Sequence, residues 1–376
     1  MLKILYLGGT DKDAQIMNSI FRNFGHEWSV VSNGQSVEEL LVFEEFDLLI
    51  LDTSGSVASG VETARHIKTG LEAKHIPIIL TIGDGEEWDN LPHELTDHAD
   101  EYIAKPFKDI ELVTRIGSML RFKELKEQMT ISNMFIEDEL QTAQIVQSAM
   151  LPSTFPYPGK VRFHAYYETA STIGGDYYDV FDYGDGRMGV IIVDVSGHGA
   201  SAALIVSIIK TLMQSYAEKS LHPAKAMEEL NSRLLQLTPE DRFATAFFGL
   251  VDFNKMTLSY VRCGHPCPFI IRGKDQSIIE LSLPGGLVGM FDDLPFREDT
   301  IELSPGDKVL MFSDGLTEVC DENNKQYGSK GLRRALERRP GIGGDQLIDE
   351  ILEETWKFNS GKCGVDDVAI LLMEVL

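Results

Sequence analysis

Cysteine is scarce in this sequence, and the few cysteines present do not have the spacing of a disulfide framework or of a zinc site. There are four of them: Cys263, Cys267, Cys320 and Cys363. The first two flank a histidine in the segment CGHPC, and a single His between two Cys is not a zinc motif. A chain of this kind suits a reducing compartment.

Long apolar runs are also missing. No stretch approaches the roughly 18 apolar residues that a membrane-spanning helix needs. The first residues, MLKILYLGG, contain one lysine and a short apolar run, which is more typical of a strand than of a signal peptide. We therefore predict a cytoplasmic protein without a membrane segment.

Positive charge is in the minority. The chain has 34 Lys and Arg against 59 Asp and Glu, which gives a net charge of −25. Nucleic acids and anionic membranes attract basic surfaces, so we expect neither as a partner. The acidic excess does not by itself indicate a metal site, because most acidic side chains form solvated surface.

The remaining composition is typical of a globular protein. Of the 376 residues, 43% are hydrophobic and 25% are charged, and this length allows two or three domains. We predict a first domain at residues 1–120, a helical linker at 121–150 and a second domain at 151–376.

The first domain alternates short apolar runs with helix-like segments. The apolar runs are at 3–7, 28–32, 46–52, 76–81 and 100–104, and the helix-like segments are near 13–24, 35–45, 59–70 and 86–97. Continuous apolar strands separated by helices indicate a parallel sheet that is covered on both faces. The prediction is a doubly wound α/β domain whose functional residues lie at the carboxyl ends of the strands.

The composition changes between residues 108 and 150, which contain no proline and no glycine after Gly117. Steps of seven residues give one apolar series and one mixed series: Phe122, Met129, Ile136, Ala143 and Met150, and then Met119, Lys126, Asn133, Leu140 and Gln147. The pattern predicts a long helix. It is either a coiled coil that joins two copies of the chain or a single amphipathic helix that packs on its own domains.

Strand-like runs dominate the second domain. The prolines of LPSTFPYPG (151–159) end the preceding helix, and helix-like segments follow only at 200–218, 223–237, 330–338 and 345–358. We predict an α+β domain, in which a layered β-sandwich is flanked by helices.

Aspartates follow or end apolar strands at four places in this second domain. They are Asp176 in GGD, Asp194 in DVSGHG, Asp314 in SDG, and the pair Asp366 and Asp367. Each alone is most simply a turn residue. Together they offer the oxygen ligands that Mg²⁺ and Mn²⁺ prefer, and two such ions can share and activate a water molecule.

In this order and with these neighbours, the aspartates resemble the PPM phosphatase superfamily, specifically its bacterial SpoIIE/RsbU-like branch. The resemblance covers nearly all of residues 139–376, including ELQTAQIVQSAMLP, STIGGDYYDV, GVIIVDVSGHGASAAL, LSPGDKVLMFSDGLTEV and GVDDVAILLM. It implies a protein serine/threonine phosphatase that uses two Mn²⁺ or Mg²⁺ ions.

The resemblance also implies roles for single residues. Asp194 would bridge both ions, the Val195 carbonyl would join one site, and Asp314 and Asp366 would join the other. Asp176 would act at the first site directly or through a water molecule. A bridging hydroxide would attack phosphoserine or phosphothreonine without a covalent phosphoenzyme. Ala369 stands where family members often have Thr, and we expect this position to support the loop.

The first domain resembles a response-regulator receiver. Asp52 would be the phosphoacceptor, Lys105 would pair with the phosphoryl oxygens, and Thr81 is the nearest match to the Thr/Ser switch position. Gly8 and Gly9 stand where receivers carry the acidic pair that holds magnesium. Two interpretations therefore stay open: a phosphorylated receiver, and a pseudo-receiver that serves as a docking or dimerisation module.

The two resemblances together imply a signalling phosphatase that a receiver-like domain controls through the helical linker. The implied substrate is a STAS-domain anti-anti-sigma factor, and the input partner would be a histidine kinase or another signalling protein. We expect a homodimer through the linker. The alternative is a catalytically weak or inactive regulator that sequesters a partner, and the complete acid set favours the enzyme.

Overall fold

The computed structural model describes residues 2–31, 41, 44–53, 57–69, 76–83, 98–217, 222–239, 241–360 and 366–376. The chain divides into two compact units, Met1–Phe135 and Ile136–Leu376. Among the described residues, each unit buries its own apolar clusters, two in the first unit and three in the second.

The first unit contains a five-stranded parallel sheet in the order β2-β1-β3-β4-β5. The strands are β1 (Lys3–Leu7), β2 (Glu27–Val31), β3 (Leu48–Asp52), β4 (Ile78–Ile82) and β5 (Glu101–Ala104). The described helices between them are α1 (Asp11–Asn23) and α2 (Val57–Thr69).

Alternate residues of these strands face two different apolar clusters, so both faces of the sheet are covered. The predicted doubly wound α/β fold is confirmed. The helices predicted near 35–45 and 86–97 lie almost entirely outside the described residues.

A single helix of 40 residues, α3 (Asp109–Ser148), follows β5. Its first turns pack into the core of the first unit through Leu112, Ile116 and Met119. Its last turns belong to the second unit. The predicted long helix is present, and it begins well before residue 121.

The second unit contains two five-stranded sheets, in the orders β13-β10-β9-β8-β7 and β12-β11-β14-β15-β6. The first sheet is made of β7 (Asp176–Asp182), β8 (Arg187–Val195), β9 (Ala244–Asp252), β10 (Thr257–Cys263) and β13 (Glu298–Glu302). The second is made of β6 (Val161–Glu168), β11 (Phe269–Ile271), β12 (Ile278–Glu280), β14 (Lys308–Phe312) and β15 (Val368–Val375). All their pairings are antiparallel.

The inner faces of the two sheets share one apolar cluster, which includes Ile192 and Phe247 from one sheet and Met311 and Leu371 from the other. Helices α4 (Ala200–Ala217) and α5 (Pro223–Leu237) cover the outer face of the first sheet. Helices α6 (Gly328–Glu337) and α7 (Gly344–Phe358) cover the second. The predicted layered β-sandwich flanked by helices is confirmed.

Two strands of the sandwich have no apolar run that would predict them from the sequence. Both β12 and β13 are the outermost strands of their sheets. The sequence of β13, EDTIE, is mostly exposed and charged, and β12 has only three residues. Edge strands tolerate short length and charge, so they lack the apolar signal of central strands.

Cys263 and Cys267 are free thiols. Cys320, in contrast, is disulfide-bonded, which the spacing of the cysteines did not lead us to expect. Within the described part of the chain, no helix is both long enough and apolar enough to span a bilayer.

Candidate active site

The first two predicted acids face each other across neighbouring strands. Asp176 begins β7, and the antiparallel register places it directly opposite Asp194 near the end of β8. Side chains opposite each other in such a ladder are close neighbours. Asp176 is only 2% exposed, and its Oδ2 atom has no hydrogen-bond partner. An acid pair of this kind is costly unless protons or cations neutralise it.

The second sheet supplies the remaining acids. Asp314 begins a 3-10 turn (Asp314–Leu316) directly after β14, and Asp366 lies just before β15. Strands β14 and β15 are antiparallel neighbours, so the loop after β14 and the loop before β15 lie at the same end of the sheet. Asp366 is exposed, and its Oδ1 atom accepts a hydrogen bond from the Asp367 amide at 2.8 Å.

The acids from the two sheets lie close enough for their charges to shift one another's pKa values. Burial and the charge of Asp194 raise the pKa of Asp176 well above its ordinary value. Burial, with the charges of Asp314 and Asp366, raises the pKa of Asp194 to about 7. Burial and the charge of Asp366 raise the pKa of Asp314 to about 6. All four predicted aspartates therefore share one electrostatic environment.

Asp367, the second acid of the pair, has a different environment. It is 6% exposed, and its carboxylate accepts hydrogen bonds from the amides of Ala170 at 2.8 Å and Gly175 at 2.6 Å. A Cβ atom on Gly174 would approach Asp367 Oδ2 to 2.5 Å, so this contact requires a glycine. Asp367 thus holds the segment that leads into Asp176.

The loop around Ala369 is tied by its backbone. The Ala369 amide donates to Ser313 Oγ at 2.8 Å, and the Ser313 amide donates to the Ala369 carbonyl at 2.9 Å. Both residues are fully buried. The structure thus places Ala369 in the support of the loop that carries Asp314.

The turn after Asp194 brings the Val195 carbonyl close to the glycine pair before Asp176. A Cβ atom on Gly175 would lie 2.7 Å from that carbonyl oxygen. The Arg242 guanidinium donates to the Ser196 carbonyl at 2.9 Å and fills the space beside Gly197, whose φ is 90°. This packing fixes the path of the backbone directly after Asp194.

The donor set fits a hard divalent cation, because carboxylates with raised pKa values and a buried unpartnered oxygen favour added positive charge. In the part of the chain that the structure describes, however, no group of three or more His, Cys, Asp and Glu side chains is placed to hold a metal ion as it stands. Coordination by Asp194, Asp314 and Asp366 together would need these side chains to converge further. That ligand set stays a prediction.

In the first unit, the predicted residues Asp52, Lys105 and Thr81 lie at the same end of the parallel sheet. Asp52 ends β3, and its fully buried side chain accepts hydrogen bonds from Lys105 Nζ and, at 2.5 Å, from the Tyr6 hydroxyl. Lys105 also contacts Asp13 at 3.0 Å. Burial and the bond to Asp52 raise the pKa of Tyr6. Thr81 lies beside Asp52 in the sheet, is fully buried, and its hydroxyl has no hydrogen-bond partner.

The two glycines that replace the receiver acids leave room for this tyrosine. Gly8 and Gly9 both have φ above 80°. A Cβ atom on Gly9 would lie 2.2 Å from the Tyr6 hydroxyl oxygen and 3.0 Å from Asp52 Oδ2. A larger residue at position 9 would collide with the Tyr6 side chain. Compared with a receiver, the site around Asp52 therefore differs in two ways: glycines replace the acidic pair, and Tyr6 occupies the space beside them.

Sequence reasoning missed several residues that the structure places in these sites. Tyr6 was one apolar residue of a strand, Gln147 was one position of the heptad series, and Arg242 was not singled out. Asp367 was recognised only as half of an acid pair. Their contacts join residues far apart in sequence, and no local pattern signals them.

The parallel α/β unit has the fold of a response-regulator receiver domain, and the two-sheet sandwich with its helices has the fold of a PP2C domain. The chain belongs to the family described as Stage II sporulation protein E (SpoIIE), whose profile matches residues 184–376. The response regulator receiver domain profile matches residues 11–117.

Individual relatives match one part or the other. The chain is 27% identical over 237 residues to the phosphoserine phosphatase RsbU of Bacillus subtilis, covering 63% of this chain and 70% of that protein. It is 39% identical over 97 residues to the phosphate regulon regulator PhoB of Pseudomonas aeruginosa, covering 26% of this chain and 42% of that protein. The solved SiaA PP2C domain of P. aeruginosa superposes with a TM-score of 0.58 at 20% identity, covering 65% of this chain and 98% of that domain.

Proposed function

We propose that the second unit is a metal-dependent protein serine/threonine phosphatase. The observation that carries the proposal is that buried Asp176 lies opposite half-buried Asp194 in the sheet, and that this pair shares an electrostatic environment with Asp314 from the other sheet. Membership of the SpoIIE family and the likeness to a phosphoserine phosphatase support the same reaction.

The chain's own residues have distinct tasks in this proposal. Asp194 and the Val195 carbonyl would hold one divalent cation with help from Asp176, and Asp194, Asp314 and Asp366 would hold a second. Mn²⁺ or Mg²⁺ bound there would lower the pKa of a water molecule that attacks the phosphorus in line. Asp367 and the glycines before Asp176 keep the carboxylates in place. The site needs no side-chain nucleophile.

The proposed substrate is a phosphoserine or phosphothreonine on a partner protein, and the family suggests a STAS-domain anti-anti-sigma factor. The receiver-like unit would act as the input module for a histidine kinase or another signalling protein. Helix α3 would carry the input to the phosphatase and would join two copies of the chain. We expect this chemistry in the cytoplasm.

The arrangement around Asp52 supports a pseudo-receiver over a phosphorylated one. The Tyr6 hydroxyl and Lys105 both bind the carboxylate oxygen Oδ2, and Gly8 and Gly9 provide no carboxylate for magnesium. Without that cation, charge on a transferring phosphoryl group is poorly neutralised. We infer that the first unit signals by binding a partner.

The experiment is Mn²⁺-dependent hydrolysis of p-nitrophenyl phosphate and of a phosphoserine peptide by the full chain. We expect turnover that a chelator abolishes and that falls by at least about 100-fold in Asp194→Ala, because loss even of groups that only support metal ligands typically costs about 10–100-fold. Asp182→Asn, an exposed acid on the same strand as Asp176, is the matched control and should keep full activity.

A second candidate function is a catalytically weak regulator that sequesters its partner. The finding that favours it is that, among the described residues, no three His, Cys, Asp or Glu side chains are placed to hold a metal ion. Equal rates for the wild type and Asp194→Ala on both substrates would select this alternative.

A further inference from the structure

One polar side chain near the end of α3 points into the protein. Gln147 is the second-last residue of the helix and is only 6% exposed, whereas most of its neighbours on the helix are exposed. The heptad series placed it at a polar seam position. The structure instead places it against the segment that precedes Asp176.

The Gln147 amide makes two hydrogen bonds to one residue. Its Nε2 donates to the Gly174 carbonyl at 2.7 Å, and its Oε1 accepts from the Gly174 amide at 3.1 Å. A side-chain amide that satisfies both backbone groups of one residue fixes the orientation of that residue. The pairing is buried, so breaking it would leave polar groups without partners.

Gly174 is two residues before Asp176 and lies where the site's other supports meet. The next residue, Gly175, donates its amide to Asp367 and accepts a hydrogen bond from the Val195 amide at 3.1 Å. The segment from Gly174 to Asp176 thus touches two loops of the acid cluster. Its position affects both Asp176 and the Val195 carbonyl.

The end of the helix is also anchored at a point away from the acids. Lys210 on α4 donates to the Met150 carbonyl at 2.5 Å and to Asp179 at 3.0 Å. This contact holds the residue two positions beyond the helix end. The Gln147 contact adds a direct connection from the helix to the segment that precedes Asp176.

We propose that Gln147 is a positioning residue through which the orientation of α3 sets the geometry, and hence the cation affinity, of the acid cluster. The inference rests on the proposed function, in which the acid cluster is the metal site of a phosphatase. Coupling between two parts of a protein is reciprocal, so a cation bound at the acids must in turn stabilise the last turns of the helix.

The test uses the full-length protein, Mn²⁺ alone and two measurements: calorimetric Mn²⁺ affinity, and amide hydrogen exchange of residues 140–150 with and without Mn²⁺. Gln147→Met keeps the size of the side chain and removes both hydrogen bonds. We expect about tenfold weaker Mn²⁺ binding, the scale set by losing such bonds. We also expect Mn²⁺ to slow exchange at the helix end in the wild type and not in this variant.

Two further variants test whether Gln147 positions the acid cluster or only stabilises the end of the helix. Gln144→Met, on an exposed position of the same helix turn, should match the wild type in both measurements. Gln147→Asn keeps the amide group and the net charge and shortens the side chain by one methylene, so it should fold if Gln147→Met does not, and it should also weaken Mn²⁺ binding.

Wild-type Mn²⁺ affinity in Gln147→Met, or in Gln147→Asn if the first variant does not fold, would overturn the inference. The inference would also be overturned if Mn²⁺ bound the wild type without slowing amide hydrogen exchange at the helix end, or if the wild type bound no Mn²⁺. Hydrolysis is measured in parallel. If Mn²⁺ binds and affects the helix but no substrate is turned over, the proposed function fails and the coupling stands.

Discussion

At the scale of single residues, the protonation of Asp194 links the stability of the protein to pH. Burial and neighbouring acids raise its pKa from 3.8 to about 7. A carboxyl group with a raised pKa binds more protons in the folded than in the unfolded chain, so it destabilises the folded state as pH rises through that interval.

We therefore predict that the metal-free second unit melts at a lower temperature at pH 7.5 than at pH 5. Asp194→Asn removes the titration and should reduce this difference, and it should raise stability at pH 7.5. Circular dichroism melting in the presence of a chelator measures both effects. The matched control is Asp182→Asn, which should keep the wild-type slope. A melting temperature that rises steadily from pH 5 to 7.5 in the wild type would contradict the prediction.

A second prediction at this scale concerns Asp52. A small-molecule phosphodonor in the presence of Mg²⁺ should give no acid-labile adduct above the level of Asp52→Asn, because Tyr6 and Lys105 bind the carboxylate and no acidic pair precedes α1. Intact-protein mass spectrometry at neutral and acidic pH measures the adduct. A receiver with the full acidic pair is the positive control. A stoichiometric adduct on Asp52 would restore the phosphorylated-receiver interpretation.

The acids were recognisable from the sequence because each stands beside glycine or another acid at the end of an apolar strand. Tyr6 was not recognisable, since it occupies an ordinary apolar position of β1 and reaches a carboxylate 46 residues away. Gln147 was assigned to a helix seam for the same reason: periodicity gives the face of a residue and not its partner. Long-range hydrogen bonds leave no local signal.

At the scale of elements, the apolar central strands and the long helix α3 could be predicted from periodicity, whereas the charged edge strand β13 could not.

The middle of α3 carries an exposed row of apolar side chains. The side chains of Phe122, Met129 and Ile136 recur at steps of seven residues and are 71%, 66% and 52% exposed. Such a series is expected to be covered by a second helix.

We predict that the full chain is a dimer at micromolar concentration and that Met129→Glu with Ile136→Glu makes it a monomer, because like charges would then face each other at the seam. Sedimentation velocity over a range of concentrations measures the change. The control is Ser132→Glu, an exposed position outside both heptad series, which should leave the dimer intact. A monomeric wild type would show that α3 does not join two copies.

At the scale of the whole molecule, the chain consists of two units with separate cores. Units with their own apolar cores generally unfold as separate cooperative transitions. The proposed metal ligands all lie in the second unit, and a ligand stabilises only the folded state that binds it. Adding a cation should therefore affect one transition and not the other.

We predict two transitions in scanning calorimetry of the full chain at neutral pH. Mn²⁺ at about 100 times its dissociation constant stabilises a site by about 2.7 kcal/mol, which corresponds to a shift of roughly 5–10 °C for a domain of this size. Only the transition of the second unit should shift, and Asp194→Ala should abolish that shift while leaving the other transition in place. A single transition that Mn²⁺ moves as a whole would mean that α3 joins the two units into one cooperative body, and equal shifts of two transitions would place cation binding in both.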